Sequence, residues 1–508
     1  MKKYRCLAAF ILALTLCASL SGCGSTSSSS SDTTTTKAST DTTTETVAAT
    51  ESVTDETEKN NDRPGDQPDG EKPDGKPDSE RPDAPPDGNG GGGNPPGGGH
   101  SSSSDIDYAG AVEITSAESQ SGQTYSSETA DESALLISTS DAVTITNSTV
   151  TKTGDSDGGD NCNFYGLNAA VLVKDGSNTT ITGGTITSDA DGANGVFCYG
   201  GNGGQNGATG DGTTLTIRDT VIKTTGDGSG GIMTTGGGIT YAYDLDVETS
   251  GKSSAAIRTD RGGGTVYVDS GTYVSNGLGS PAIYSTAEIY VENAELTSNL
   301  SEGVCIEGKN SIELTNCDMT ANNTKCNGNA TFFDTIMIYQ SMSGDADSGI
   351  SSFTMNGGTL TSKNGHVFHV TNTNAIIDLN GVTIVNEDPD NILLSVCADG
   401  WSGAGNIATL NADSQELSGI IKVGDDSELT LNLTNGSTFT GSIDGAITNA
   451  KGTTVSTEIG TVNVKLDSTS TWTLTADTYI TSFDGDASNI IFNGYTLYVN
   501  GNALTGTK

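Results

Sequence analysis

Aromatic side chains are scarce in this chain of 508 residues: Phe, Trp and Tyr make up 5% of it, beside 68 Gly. That is too few large apolar groups for one deep globular core, and a row of small, similar cores suits the composition better. Positive charge is scarce as well. Lys+Arg number 23 against 64 Asp+Glu, a formal net charge of -41. Such a surface repels nucleic acid, anionic lipid and acidic polymers unless cations bridge, so no DNA or RNA partner is expected. After the N-terminus no apolar run is long enough to read as a membrane span. The Gly runs do not open helices, so there is no phosphate loop, and no Ser/His/Asp set can be placed.

What is present begins with "MKKYRCLAAFILALTLCASLSGCGSTSSSS". Lys2, Lys3 and Arg5 precede a short apolar run that ends in Leu20-Ser21-Gly22-Cys23. This ending resembles the lipobox of bacterial lipoproteins. The resemblance implies a signal peptide over residues 1–22 and a lipid on Cys23 that holds the protein at the extracellular face of the cell membrane. Residues 23–105 read as a disordered tether, rich in Ser and Thr and then in Pro, Gly and Asp, a composition that cannot bury a core.

From about Leu135 one short pattern returns, at a period of about 23–26 residues. It is apolar-x-apolar, a turn of Asn, Asp, Gly or Ser, then another apolar residue, as in "VTITNSTV", "VYVDSGTY", "IELTNCDM" and "IDLNGVTI". The second apolar positions are Ile145, Ile181, Ile217, Ala242, Val268, Val291, Leu314, Met355 and Leu379. Five residues on come Val150, Ile186, Ile222, Val247, Tyr273, Leu296, Met319, Leu360 and Ile384. Period-2 alternation with abundant Thr, Val, Gly and Asn excludes helices. The pattern predicts an all-β, right-handed parallel β-helix over 106–508, three short strands per coil, capped by residues 106–133 and 477–508 and expected to be a monomer.

Lipobox, tether and Thr/Gly-rich repeat together resemble the adhesin-like and carbohydrate-binding β-helix surface lipoproteins of Gram-positive bacteria. Stretches such as "SSAAIRTDRGGGTVYVDSGTY", "GSPAIYSTAEIYVENAELTS" and "IYQSMSGDADSG" carry the likeness. It implies a polysaccharide or cell-surface glycan as partner, and calcium.

Three features are candidates for that chemistry. The turn after each "AAI"-type strand varies most in length ("RTDRGGG", "STA", "QSMSGDADSG", "CADGWSGAG"), and such turns stack down one edge of a solenoid. Arg258, Asp260 and Arg261 lie there, with Asp345, Asp347 and Trp401 further along. Beside Gly262 to Gly264 the arginines should be open to solvent, free to grip a sugar carboxylate, or else to offset carboxylates on neighbouring coils. Tyr241, Tyr267 and Tyr290 fall at equivalent outward positions on three coils, a ladder for pyranose rings or a stack that only stabilises the sheet. Asp155, Asp157, Asp189, Asp191 and Asp227 recur in one turn, where Ca²⁺ would relieve their repulsion, unless Asp-Gly is plain turn chemistry.

Two further expectations follow. His366 and His369, three apart on a strand, should face opposite ways. Cys162, Cys198, Cys305, Cys317, Cys326 and Cys397 remain after the signal, with Cys317 and Cys326 the closest in sequence for a disulfide. The first functional expectation is polysaccharide binding without turnover. A calcium-dependent polysaccharide lyase or a glycoside hydrolase is the alternative, and an inert spacer the third.

Overall fold

The computed structural model describes residues 106–203 and 209–504. Cys23, the signal segment and the tether lie outside the described residues. The chain winds as a parallel β-helix built on a 15-stranded and a 20-stranded sheet. Strands of one sheet in successive coils pair in parallel, so the winding follows the right-handed crossover rule. One coil runs through Ile257–Thr259 of the 15-stranded sheet and then Gly264–Ser275 of the 20-stranded one, before the next begins at Ile283–Ser285.

In the coils before Asn406 the second and third strands share the 20-stranded sheet and meet at a corner. That corner is left-handed on coil after coil: Asn147, Asp219, Asp244, Ser270, Asn293 and Asn316 have φ between 48 and 67°, and Gly183, Gly357 and Gly381 fill the same place. Only Gly and short polar residues enter this region at low cost, which is why Asn, Asp, Ser and Gly recur two residues after the apolar pair. The predicted inward positions stack in register: Ile145 on Ile181 on Ile217, and Ala242 on Val268 on Val291 on Leu314. All belong to the central core, and so do Val150, Tyr273 and Leu360. Ile384 packs against it from a half-buried position.

Polar groups inside the coil are satisfied by the next coil. The Ser254 amide donates to Ser280 Oγ, the Ser229 amide to Ser254 Oγ, and the Ala193 amide to Ser229 Oγ, each at 2.9 Å. Each buried amide thus finds an acceptor at the turn where the coil closes.

Two expectations change. From Asn406 onward each coil has two long strands instead of three, as in Asn406–Asp413 with Glu416–Val423 and Ser427–Thr434 with Thr438–Asp444. At the start, residues expected to cap the helix form a full coil of their own, with Ala109–Ile114 on Glu132–Ser138 and both Glu118–Ser121 and Thr124–Ser127 on Ala142–Lys152. The far end is closed by a small sheet of Thr478–Ile480, Leu497–Val499 and Asn502–Ala503, whose last pair is antiparallel.

The outward face of the 15-stranded sheet is not a surface. Its outward column in register is Leu136, Leu172, Phe197, Met233, Arg258, Tyr284, Cys305, Met337, His369 and Ser395. Loops roof it. The short helix Asp160–Tyr165 brings Phe164 and Tyr165 over the first four. Ala330 and Trp401 cover Cys305 and Met337, and Phe332 packs with Cys397 and Ile447.

Candidate functional site

The exposed face is the outside of the 20-stranded sheet. One outward column runs unbroken there: Thr144, Thr180, Thr216, Tyr241, Tyr267, Tyr290, Glu313, Thr354, Asp378, Asn411 and Asn432. The tyrosines stack with centroids 5.1 Å apart and planes 8° and 11° from parallel. The spacing is close to the strand-to-strand distance, so the rings lie face to face along the helix axis. Tyr267 is 40% exposed. Its two faces are covered by Tyr241 and Tyr290, and the ladder offers ring edges and hydroxyls outward. Faces remain only at the ends, toward Thr216 and Glu313. The pattern of outward tyrosines was legible in the sequence, and of its two readings the stack describes how the rings lie. Further along, the Asn411 side-chain amide donates to Asp378 Oδ1 and that of Asn432 to Asn411 Oδ1, both at 2.7 Å.

The arginine cluster is closed, contrary to the solvent-open expectation. Arg258 lies on the strand Ile257–Thr259, its side chain 14% exposed, and donates to Asp260 Oδ2 at 2.5 Å and to the Ser253 carbonyl at 3.2 Å. Arg261 donates through Nε to Asp345 Oδ1 at 3.0 Å, and its guanidinium lies 4.1 Å from the Phe164 ring centroid. Asp345 comes from a loop 84 residues away, folded back onto the earlier coil. Burial pushes the Asp260 carboxyl up to about 6, outweighing the pull of Arg258. The same loop is fastened by Glu307, which accepts from the hydroxyls of Tyr284, Tyr339 and Ser341. Asp347 pairs with Lys309 at 2.7 Å. Trp401, expected on the ligand edge, is 6% exposed and packs 4.8 Å from Tyr339, so it is part of the roof. The cluster is an ionic clasp between coils, and the charge-offset alternative describes it.

The aspartates do form a column, and their oxygens are in use. The Asp191 amide donates to Asp155 Oδ1 at 2.9 Å, the Asp227 amide to Asp191 Oδ1 at 2.8 Å, and the Lys252 amide to Asp227 Oδ1 at 2.8 Å. Asp189 accepts from Thr225 Oγ1 at 2.5 Å, and Asp157 is exposed. Asp155, Asp191 and Asp227 each cap an amide of the next coil's turn, which is the turn-chemistry alternative. Among the described residues no three His, Cys, Asp or Glu are grouped to hold a metal ion.

The histidines face the same way, a correction to the period-2 reading. Val367 and Phe368 both turn into the core at the corner where the strand begins, so three residues bring His366 and His369 back to one side. Nδ1 of each lies 2.7 Å from Ser395 Oγ. His369 Nε2 is 3.5 Å from Asp399 Oδ2. A Ser395, His369 and Asp399 set therefore exists that the sequence reading did not place. The Phe332 ring lies over it, its centroid 4.7 Å from that of His369, and Ser395 and His369 are fully buried, so the set is closed to solvent. Burial lowers His366 to about 3. Burial raises Asp399, but His369 and Thr331 outweigh it and hold that carboxyl below its usual range.

All six described cysteines are free thiols, and Cys317 sits in the central core, apart from Cys326. No known family, curated protein or solved structure matches the chain.

Proposed function

We propose that this protein is a lipid-anchored cell-surface β-helix that binds polysaccharide along the outside of its 20-stranded sheet, without turnover. The observation that carries the reading is the unbroken outward column from Thr144 to Asn432, in which hydroxyl, amide and carboxylate groups repeat once per coil around three stacked tyrosines. A linear glycan presents hydroxyls at a regular repeat and can pair with such a column through many weak hydrogen bonds. A net charge of -41 gives no general attraction for an acidic polymer, which favours a neutral chain. Pairing of Arg258 with Asp260 and of Arg261 with Asp345 favours binding over the lyase alternative, because neither guanidinium stands open as a base or a carboxylate grip.

The test is affinity electrophoresis of the full chain in gels containing neutral or acidic polysaccharides. Retardation by a neutral glycan is expected. Replacing Tyr241, Tyr267 and Tyr290 together by Ala should weaken it by about tenfold, because edges and hydroxyls, and few ring faces, are lost. Tyr267→Ala alone uncovers two ring faces and should bind at least as well as the parent. A triple variant that migrates like a retarded parent would remove the ladder from the binding face. Oligosaccharide products in the gel would replace binding with catalysis.

A further inference from the structure

Two carboxylates lie in the roofed face, Glu302 and Asp334, and among the described residues neither forms an ion pair. Val304 pairs with Ile336 in the register of the 15-stranded sheet, which sets Glu302 beside Asp334 on adjacent coils at the head of the sheet. Glu302 is 5% and Asp334 1% exposed. Asp334 Oδ1 accepts no hydrogen bond. Asn323, fully buried, donates its amide to the Asp334 carbonyl at 3.3 Å, and its own Oδ1 is also without a donor. Burial, and then Glu302, push the Asp334 carboxyl well above its usual range. Glu302 accepts from the Ser301 hydroxyl, yet two buried carboxyls one strand apart, with Asp334 Oδ1 and Asn323 Oδ1 orphaned, are costly as they stand. Either a proton is shared or a cation is held.

We infer that Glu302, Asp334 and the Asn323 side-chain oxygen form a site for a hard divalent cation. The two carboxylates balance its charge. The donors are all oxygen, the chemistry that Ca²⁺ takes and that softer metals do not prefer. His366, the register neighbour of Asp334, is turned to Ser395 and stays out of the set. The site is separate from the Asp155–Asp227 column, whose oxygens cap backbone amides. Asn323 and Asp334 also bracket the loop that carries Ala330 and Phe332 onto the sheet. A cation there joins both ends of that loop and holds down the roof.

The test uses the full chain with Ca²⁺ or EDTA and two readouts. Calcium at about 100-fold above its Kd should raise the melting temperature by roughly 3 °C. EDTA should speed tryptic cleavage at Lys325, which is exposed within the bracketed loop, by several-fold. Asp334→Asn, which keeps the shape and removes the charge, should abolish both responses, whereas Asp157→Ala with Asp189→Ala should leave both intact. Should Asp334→Asn fail to fold, Glu302→Gln carries the same expectation. Equal melting and equal cleavage in calcium and EDTA would mean that the carboxyls share a proton, and the site would be rejected. A response kept by Asp334→Asn and lost in the aspartate-column variant would place the cation elsewhere.

Discussion

The two sheets share every coil and yet treat their outer faces in opposite ways. Outside the 20-stranded sheet stand Thr, Tyr, Glu, Asp and Asn, with Tyr267 open to solvent. Outside the 15-stranded sheet stand Leu136, Leu172, Phe197 and Met233, all under a roof, followed by an ionic clasp and two buried histidines. The first face is a surface with a repeat. The second is a second core, built by insertions that leave the coil and return over it. The difference teaches that a solenoid's variable loops need not be its binding loops, since here they exclude water from one sheet.

The sharpest way to break this comparison is to cut the same kind of group from each face. Phe332→Ala removes a buried ring from the roof and should cost about 4 kcal/mol, while Tyr267→Ala should cost about 1 kcal/mol. Urea unfolding of both variants checks it, and equal losses would mean that the roof contributes no more than the exposed ladder. A smaller effect is expected from the clasp. Arg258→Ala leaves Asp260 buried without its partner and should cost about 3 kcal/mol, whereas Arg258→Met with Asp260→Asn, which keeps the acceptor for the Arg261 amide, should recover most of that. Calorimetric melting separates the two, and a double variant as unstable as the single one would show the pair to be more than charge compensation. The smallest effect depends on pH. His366 titrates near 6.5 unfolded and at about 3 when buried, so the stability it gives is complete above pH 6.5 and lost as pH falls toward 3. Between pH 6.5 and 5 the parent should lose about 2 kcal/mol relative to His366→Gln. Parallel stability profiles for the two would show that His366 is not shielded in solution.

The coil was legible because its rules are local. Asn147, Ser270 and Asn316 announce a left-handed corner from their own chemistry, and Val268 and Leu314 announce the core by alternation. The roof was not legible, because its contacts are remote: whether Arg261 is open depends on Asp345, 84 residues on. One signal was available. "ALLIS", "AVLV" and "GVFC" are apolar at both inward and outward positions, and a strand without alternation is one buried on both faces. The histidine pair needed a further fact, that the chain turns two successive residues, Val367 and Phe368, inward at the corner. The Tyr ladder shows a subtler gap, because its register was readable and the orientation of its rings was not.

The aspartate relay has a consequence for how such a chain can grow. Its steps from Asp155 to Asp191 and from Asp191 to Asp227 each span 36 residues, and the step from Asp227 to Lys252 spans 25, yet all three close with the same bond. Coil length is therefore counted from turn to turn, and surplus residues are expelled between the counting points, where the helix Asp160–Tyr165 stands. Segments inserted there would leave the reading frame of the solenoid untouched, while one residue added inside Thr185–Ser188 would throw every later coil out of step. For protein engineering, the roof is the socket and the relay is the ruler.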